Sequence, residues 1–93
     1  MLKVNEYFDG KVKSIGYEDS KGPITVGVME PGDYTFSTSS HELMTVVTGT
    51  LIVLRPGDAE WATFQAGESF EIHADASFEV RVEEPTAYIC RYS

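Results

Sequence analysis

The sequence predicts one small all-β domain over residues 1–93, of the barrel or sandwich kind, with little or no helix. Three observations carry this. The segments between turn signals are short and rich in Val, Ile, Thr, Phe and Tyr. Most alternate with period two, which puts one face in a core and one in water. Gly and Pro recur throughout, and no segment shows helical period with caps.

The elements follow in order. The opening to Asp9 contains no apolar run of signal-peptide length, and a first turn stands at Gly10. A second segment ends at Lys21-Gly22-Pro23. In the third, Ile24, Val26 and Val28 oppose Thr25, Gly27 and Met29. Pro31-Gly32 opens a segment in which Tyr34, Phe36 and Thr38 share one parity. In the next, Glu42 and Met44 share another, and Gly49 ends it. Residues 50–54 are apolar on both faces, which suggests a strand covered from both sides. After the Pro56-Gly57-Asp58 turn, Trp61 reads as a packing residue because indole is costly to expose. Past Gly67, Phe70 and Ile72 oppose Glu71 and His73. Past Asp75, Phe78, Val80 and Val82 oppose Glu79, Arg81 and Glu83. The last segment, after Pro85, sets Tyr88, Cys90 and Tyr92 on one side and Arg91 on the other.

Composition narrows the function. The chain carries 15 acidic residues against 7 Lys and Arg, a formal net charge of −8. Such a surface repels phosphate backbones, so nucleic-acid strands and anionic membranes are poor partners. No stretch approaches the length of a membrane span. Any anionic substrate must be held by a few local cations. One cysteine, Cys90, excludes an internal disulfide and fits a reduced, cytoplasmic setting. A chain this short hides more apolar surface by pairing with a second copy, so a dimer is expected.

The segment from Pro31 to Gly49 resembles the first cupin motif: a Gly, a His-x-His pair, three or four residues, a Glu, six residues and a Gly. Glu42 and Gly49 keep their spacing, but Phe36 and Thr38 stand where the histidines would be. The second motif resembles Gln65-Ala66-Gly67 followed by Glu68, Ser69 and Phe70, with Phe70 in place of the third histidine. Carbon rings and one hydroxyl cannot replace imidazoles around a transition metal, so no metal site is expected. His41 and His73 fall at other positions and read as surface residues.

The resemblance extends further. The opening Asn5 to Gly16, Val26-Gly27-Val28-Met29, Gly32 to Thr38, Glu42 to Val46, Trp61 and the ending Pro85 to Tyr92 are together similar to the pyrimidine/purine nucleoside phosphorylase family of small cupins. That resemblance implies a metal-independent homodimer without a cofactor. It would use inorganic phosphate as co-substrate to release free base and ribose 1-phosphate from a broad range of nucleosides.

Such chemistry has three needs: a hold on phosphate, a hold on ribose and a cradle for a planar base. If Glu42 faces inward, as in the motif, it could accept bonds from two sugar hydroxyls and favour developing positive charge on the sugar. Phe36 and Phe70 offer rings for a base, and a ring face accepts any base without reading its edge. Tyr34, Thr38, Met44 and Tyr88 complete the expected substrate pocket. For phosphate, the guanidinium fork of Arg91 matches the geometry, although parity sets Arg91 opposite Tyr88, Cys90 and Tyr92; Lys11 with Ser14 is the second candidate. Two other readings stand beside this one: a small-molecule-binding cupin without turnover, and a metal-dependent isomerase or oxygenase with unusual ligands.

Overall fold

The computed structural model describes residues 1–93 and contains ten strands and no helix: β1 (Lys3–Tyr7), β2 (Val12–Asp19), β3 (Gly22–Met29), β4 (Gly32–Ser37), β5 (Glu42–Thr48), β6 (Thr50–Leu54), β7 (Ala62–Gln65), β8 (Ser69–Ile72), β9 (Ser77–Val82) and β10 (Thr86–Tyr92). They form two facing antiparallel sheets, one of order β1-β2-β3-β10-β5-β8 and one of order β4-β9-β6-β7. The ladders do not close into one continuous ring; the barrel is a two-layer sandwich with free edges. After the β1-β2-β3 meander, nearly every connection carries the chain from one sheet to the other. The turns at Gly49, Gly67 and Pro85 serve these crossings.

The alternation read from the sequence sets the two inner faces. Phe78, Val80 and Val82 of β9 and Phe70 and Ile72 of β8 are all buried, and with Leu51 and Val53 of β6 they belong to one core cluster. That core extends through Val12, Met29, Met44 and Val46. The outer face of β6 is only half-covered at Ile52 and Leu54, less than its unbroken apolar run suggested. In β3, residue type is a poor guide to facing. Thr25, Gly27 and Met29 face inward, whereas Val26 and Val28 lie on the outer face and are exposed. Register decides this: Gly27 pairs with Ser14 and Tyr88, and Met29 with Val12 and Thr86, all inward residues.

Two local features aim side chains between the sheets. Phe8 and Asp9 both adopt left-handed backbone (φ 55° and 57°) in the β1–β2 turn, closed by the Gly10 amide donating to the Tyr7 carbonyl at 3.2 Å. An aromatic residue in this region is uncommon. The Phe8 ring lies against Tyr34 and Phe36, with centroids 4.9 and 5.5 Å away. A bulge between β5 and β10 shifts the pairing from Ala87–Thr48 to Tyr88–Val46. Such a shift re-aims the bulged strand and strengthens its twist.

Candidate functional site

One cavity of about 260 Å³ opens between the sheets. Its floor comes from β10, where Tyr88, Cys90 and Tyr92 all point inward, with Ser14 of β2 and Met29 of β3 beside them. Glu42 and Met44 of β5 form one wall. Phe36 of β4 and Phe78 of β9, in register and stacked at 5.6 Å, form the other. Tyr7 and Phe8 close the end near the β1–β2 turn, and Thr35 and Ser37 flank Phe36. Nine of the thirteen lining residues are hydrophobic, and none is Lys, Arg or His.

Tyr88 reaches this position because Gly27 lies beneath it. A Cβ at Gly27 would stand 2.7 Å from Tyr88 Cζ and 2.8 Å from the Lys13 carbonyl oxygen, so only a glycine admits the ring. Burial pushes the Tyr88 hydroxyl up to about 12, a carboxylate and a thiol nearby add to this, and a hydrogen bond with Ser14 opposes it. Cys90 is likewise pushed up to about 12, mainly by burial and then by Glu42, so it is a thiol and not a nucleophilic thiolate. Tyr92 is raised by burial and shares a 3.1 Å hydrogen bond with Thr25.

Glu42 is the only carboxyl among the lining residues. It opens β5 with register partners Tyr92 on one side and Ile72 on the other. The Cys90 thiol donates to its Oε1 at 3.4 Å. Desolvation raises the Glu42 pKa above its ordinary 4.5, opposed by the Cys90 bond and by His41.

The structure brings together Glu42, Phe36, Met44, Tyr88 and Ser14 and leaves the other sequence candidates outside. Phe70 is buried one layer deeper, with its ring 4.6 Å from Phe64 and 6.4 Å from Phe78, and it fills the core. Tyr34 is also core; its hydroxyl is used by the Glu30 carbonyl. Thr38 ties two loops together, donating to the His73 carbonyl at 2.8 Å and accepting from the Ala76 amide at 3.0 Å. Lys11 lies exposed in the β1–β2 turn.

Arg91 points to the outer face and grips Asp19 with both terminal nitrogens, at 2.9 and 2.8 Å. That bidentate pair holds the Asp19 carboxyl down at about 2. The parity of β10 turns Arg91 away from the cavity, and its fork is already occupied.

The residues that sequence reasoning did not assemble are Tyr7, Phe8, Met29, Phe78, Cys90 and Tyr92, with Thr35 and Ser37 as chain neighbours of Phe36. Cys90 and Tyr92 share the parity of Tyr88, so that signal was present. Tyr7, Phe8, Met29 and Phe78 reach the cavity through pairings distant in sequence.

At the motif positions of a metal-binding cupin, Phe36 and Phe70 offer carbon and Thr38 offers a hydroxyl already bonded elsewhere. Glu42 stands alone, and nowhere do three His, Cys, Asp or Glu side chains converge. This donor set does not fit a transition metal. His41 meets Glu71 at 3.5 Å and Ser93 at 3.0 Å near the surface, and His73 is exposed.

Comparison with known proteins gives the cavity its context. Residues 2–92 match the sequence model of a family described as pyrimidine/purine nucleoside phosphorylase. A protein of that name from Alcanivorax borkumensis is 59% identical over 92 residues, covering 99% of this chain and 98% of the relative. One from Yersinia pestis is 57% identical over 93 residues, covering 99% and 98%. The crystal structure of a Vibrio parahaemolyticus protein of unknown function superposes with a TM-score of 0.96 at 48% identity, over 100% and 99% of the two chains. An RmlC-like cupin from Shewanella frigidimarina superposes at 0.75 with 15% identity, over 99% and 83%, which speaks to fold alone. No helix is long and apolar enough to cross a membrane. On a full-length match of sequence and fold, the chain belongs to the pyrimidine/purine nucleoside phosphorylase family and has the all-β cupin fold.

Proposed function

We propose that the inter-sheet cavity binds a nucleoside and inorganic phosphate. Phosphate displaces the base at the anomeric carbon, giving free base and ribose 1-phosphate without a metal or cofactor. The supporting observation is the cavity itself in a chain of this family: stacked rings on one wall, one carboxyl on the other and hydroxyls along the floor. Its volume of about 260 Å³ lies just below the usual range of ligand sites, which begins at about 300 Å³, and suits small molecules and not a polymer. Phe36 and Phe78 offer a ring face to the base. Stacking of this kind is worth ~1–3 kcal/mol per base and tolerates both purines and pyrimidines. Tyr7, Ser14, Tyr88 and Tyr92 carry the inward-facing hydroxyls available to sugar and phosphate. This assigns the phosphate contacts to hydroxyl donors in place of Arg91 or Lys11.

Chelator-treated protein mixed with uridine and phosphate is expected to release uracil and form ribose 1-phosphate, and inosine is expected to release hypoxanthine. Base release that ignores phosphate would make the protein a hydrolase. Nucleoside binding without release would make it a binding cupin. Either result removes the phosphorolytic reading.

The same reading takes the enzyme as a cytoplasmic homodimer. The outer face of the six-stranded sheet is apolar across four strands: Val4, Ile15, Val26 and Ile89 lie in register, with Val4 68%, Ile15 42% and Val26 40% exposed. Val28 and Tyr17 extend the patch. An apolar surface of this kind is ordinarily covered by a partner, and a second copy of the same face closes it with two-fold symmetry. Light scattering coupled to size exclusion is expected to give twice the chain mass for the native protein and the single-chain mass for Val26→Glu. A native protein of single-chain mass would overturn the pairing.

A further inference from the structure

We propose that Glu42 is the general acid of the reaction: it carries a proton while phosphate occupies the cavity and passes that proton to the departing base. This rests on the phosphorolytic reading above and replaces the ribose clamp expected from the sequence.

The geometry points to it in two ways. Glu42 is the only carboxyl lining the cavity, and no cation lines it to neutralise an anion. Two negative groups cannot share so apolar a space without cost, so a bound phosphate drives Glu42 toward its neutral form. Two titratable neighbours oppose this: the Cys90 thiol, whose bond to Oε1 favours the carboxylate, and His41. Tyr88, Cys90 and Tyr92 of β10 hold their protons well above neutrality. Tyr7 is the only ionisable group that β1 brings to the cavity. The other strands beside Glu42 present Ser14, Phe36, Ser37 and Ile72. His41, on the adjoining loop, pulls the other way, but its ring is engaged by Glu71 and Ser93 near the surface. Burial of Glu42 acts in the same direction as the phosphate.

The step balances. A phosphate oxygen of the hydrogen phosphate dianion bonds to C1′ of the ribose, and the C1′–N bond breaks. Its electron pair leaves with the base, which takes the proton of Glu42. The proton still carried by the new phosphate ester then returns to the Glu42 carboxylate. The products are neutral base and ribose 1-phosphate dianion, and Glu42 is restored.

Guanosine and 7-methylguanosine separate this role from others, because the methylated base leaves neutral without a proton. At pH 6, Glu42→Gln is expected to slow guanosine phosphorolysis by about 10²-fold or more, the scale of general acid catalysis. It is expected to slow 7-methylguanosine by less than about tenfold on that same scale. Equal losses on both substrates would overturn the proposal and return Glu42 to the sugar. The native enzyme supplies a second measurement that does not depend on the variant folding. A solvent deuterium isotope effect on kcat is expected with guanosine and absent with 7-methylguanosine; effects of the same size would overturn the assignment. A native enzyme that releases neither base in a phosphate-dependent way would sink the phosphorolytic reading itself, and this proposal with it.

Discussion

Glu42→Ala is expected to remove most of the turnover with uridine, by about 10²- to 10⁴-fold, while leaving the fold intact. The two effects separate because Glu42 faces a cavity and not the packed core. Truncating it enlarges a space that already exists, so the usual cost of a new void does not arise. Linkage sharpens the point. The Glu42 pKa is raised above 4.5 in the folded protein, chiefly by desolvation. The folded state therefore binds the proton more tightly than the unfolded chain does. Its contribution to stability is present in full below pH ~4.5 and is lost as pH rises through the raised value. At pH 8 the native carboxylate is a liability, and Glu42→Ala is expected to melt at the native temperature or slightly above it. A thermal melt and an assay on the same samples check both halves. A variant that is markedly destabilised and inactive would make Glu42 a structural residue. Functional sites commonly hold groups that cost stability in this way.

Gly49→Ala is expected to have the largest effect on stability, a loss of about 3 kcal/mol or more. For a domain of this size that lowers Tm by roughly 12 °C or more. Gly49 sits at φ +86°, where a side chain is strained. It is also walled in by backbone. A Cβ there would meet the Thr86 hydroxyl, and would stand 2.9 Å from the Pro85 carbonyl oxygen and 3.0 Å from Thr86 Cα. Thr86 cannot step aside. It is fully buried, and its hydroxyl accepts from the Thr50 amide at 3.1 Å and lies 2.9 Å from the Glu84 carbonyl. Gly49 is thus where the β5–β6 crossing passes tightly against the β9–β10 crossing. Chemical denaturation of the variant gives the number directly, and a loss below about 1 kcal/mol would mean that the crossing relaxes around the added methyl group. The motif glycine is explained by this contact between crossings and not by any ligand.

Alternation and turn residues made the strands legible because both are local properties. Phe78, Val80 and Val82, and Phe70 with Ile72, lie on the side their spacing implied, and the inward set Tyr88, Cys90, Tyr92 leaves Arg91 outward as parity requires. Alternation says which residues share a face; it does not say which face meets the other sheet. In β3 that choice goes against residue type: Gly27 turns inward because the Tyr88 ring needs its place, and Val26 and Val28 turn outward.

The candidate site divides along the same line. The sequence by itself determined that a cupin-like scaffold keeps Glu42 and Gly49 while losing its imidazoles, because spacing and side-chain chemistry are written in the chain. Only the tertiary structure decided that Phe36 lines the cavity and Phe70 does not, that Tyr34 and Thr38 are consumed by core and loop contacts, and that Arg91 is bound to Asp19. It also decided that Phe8, Ser14 and Phe78 join Glu42 around one space. Each of these depends on pairing between strands far apart in sequence, on a left-handed turn or on a bulge, and packing settles these only when the two sheets meet.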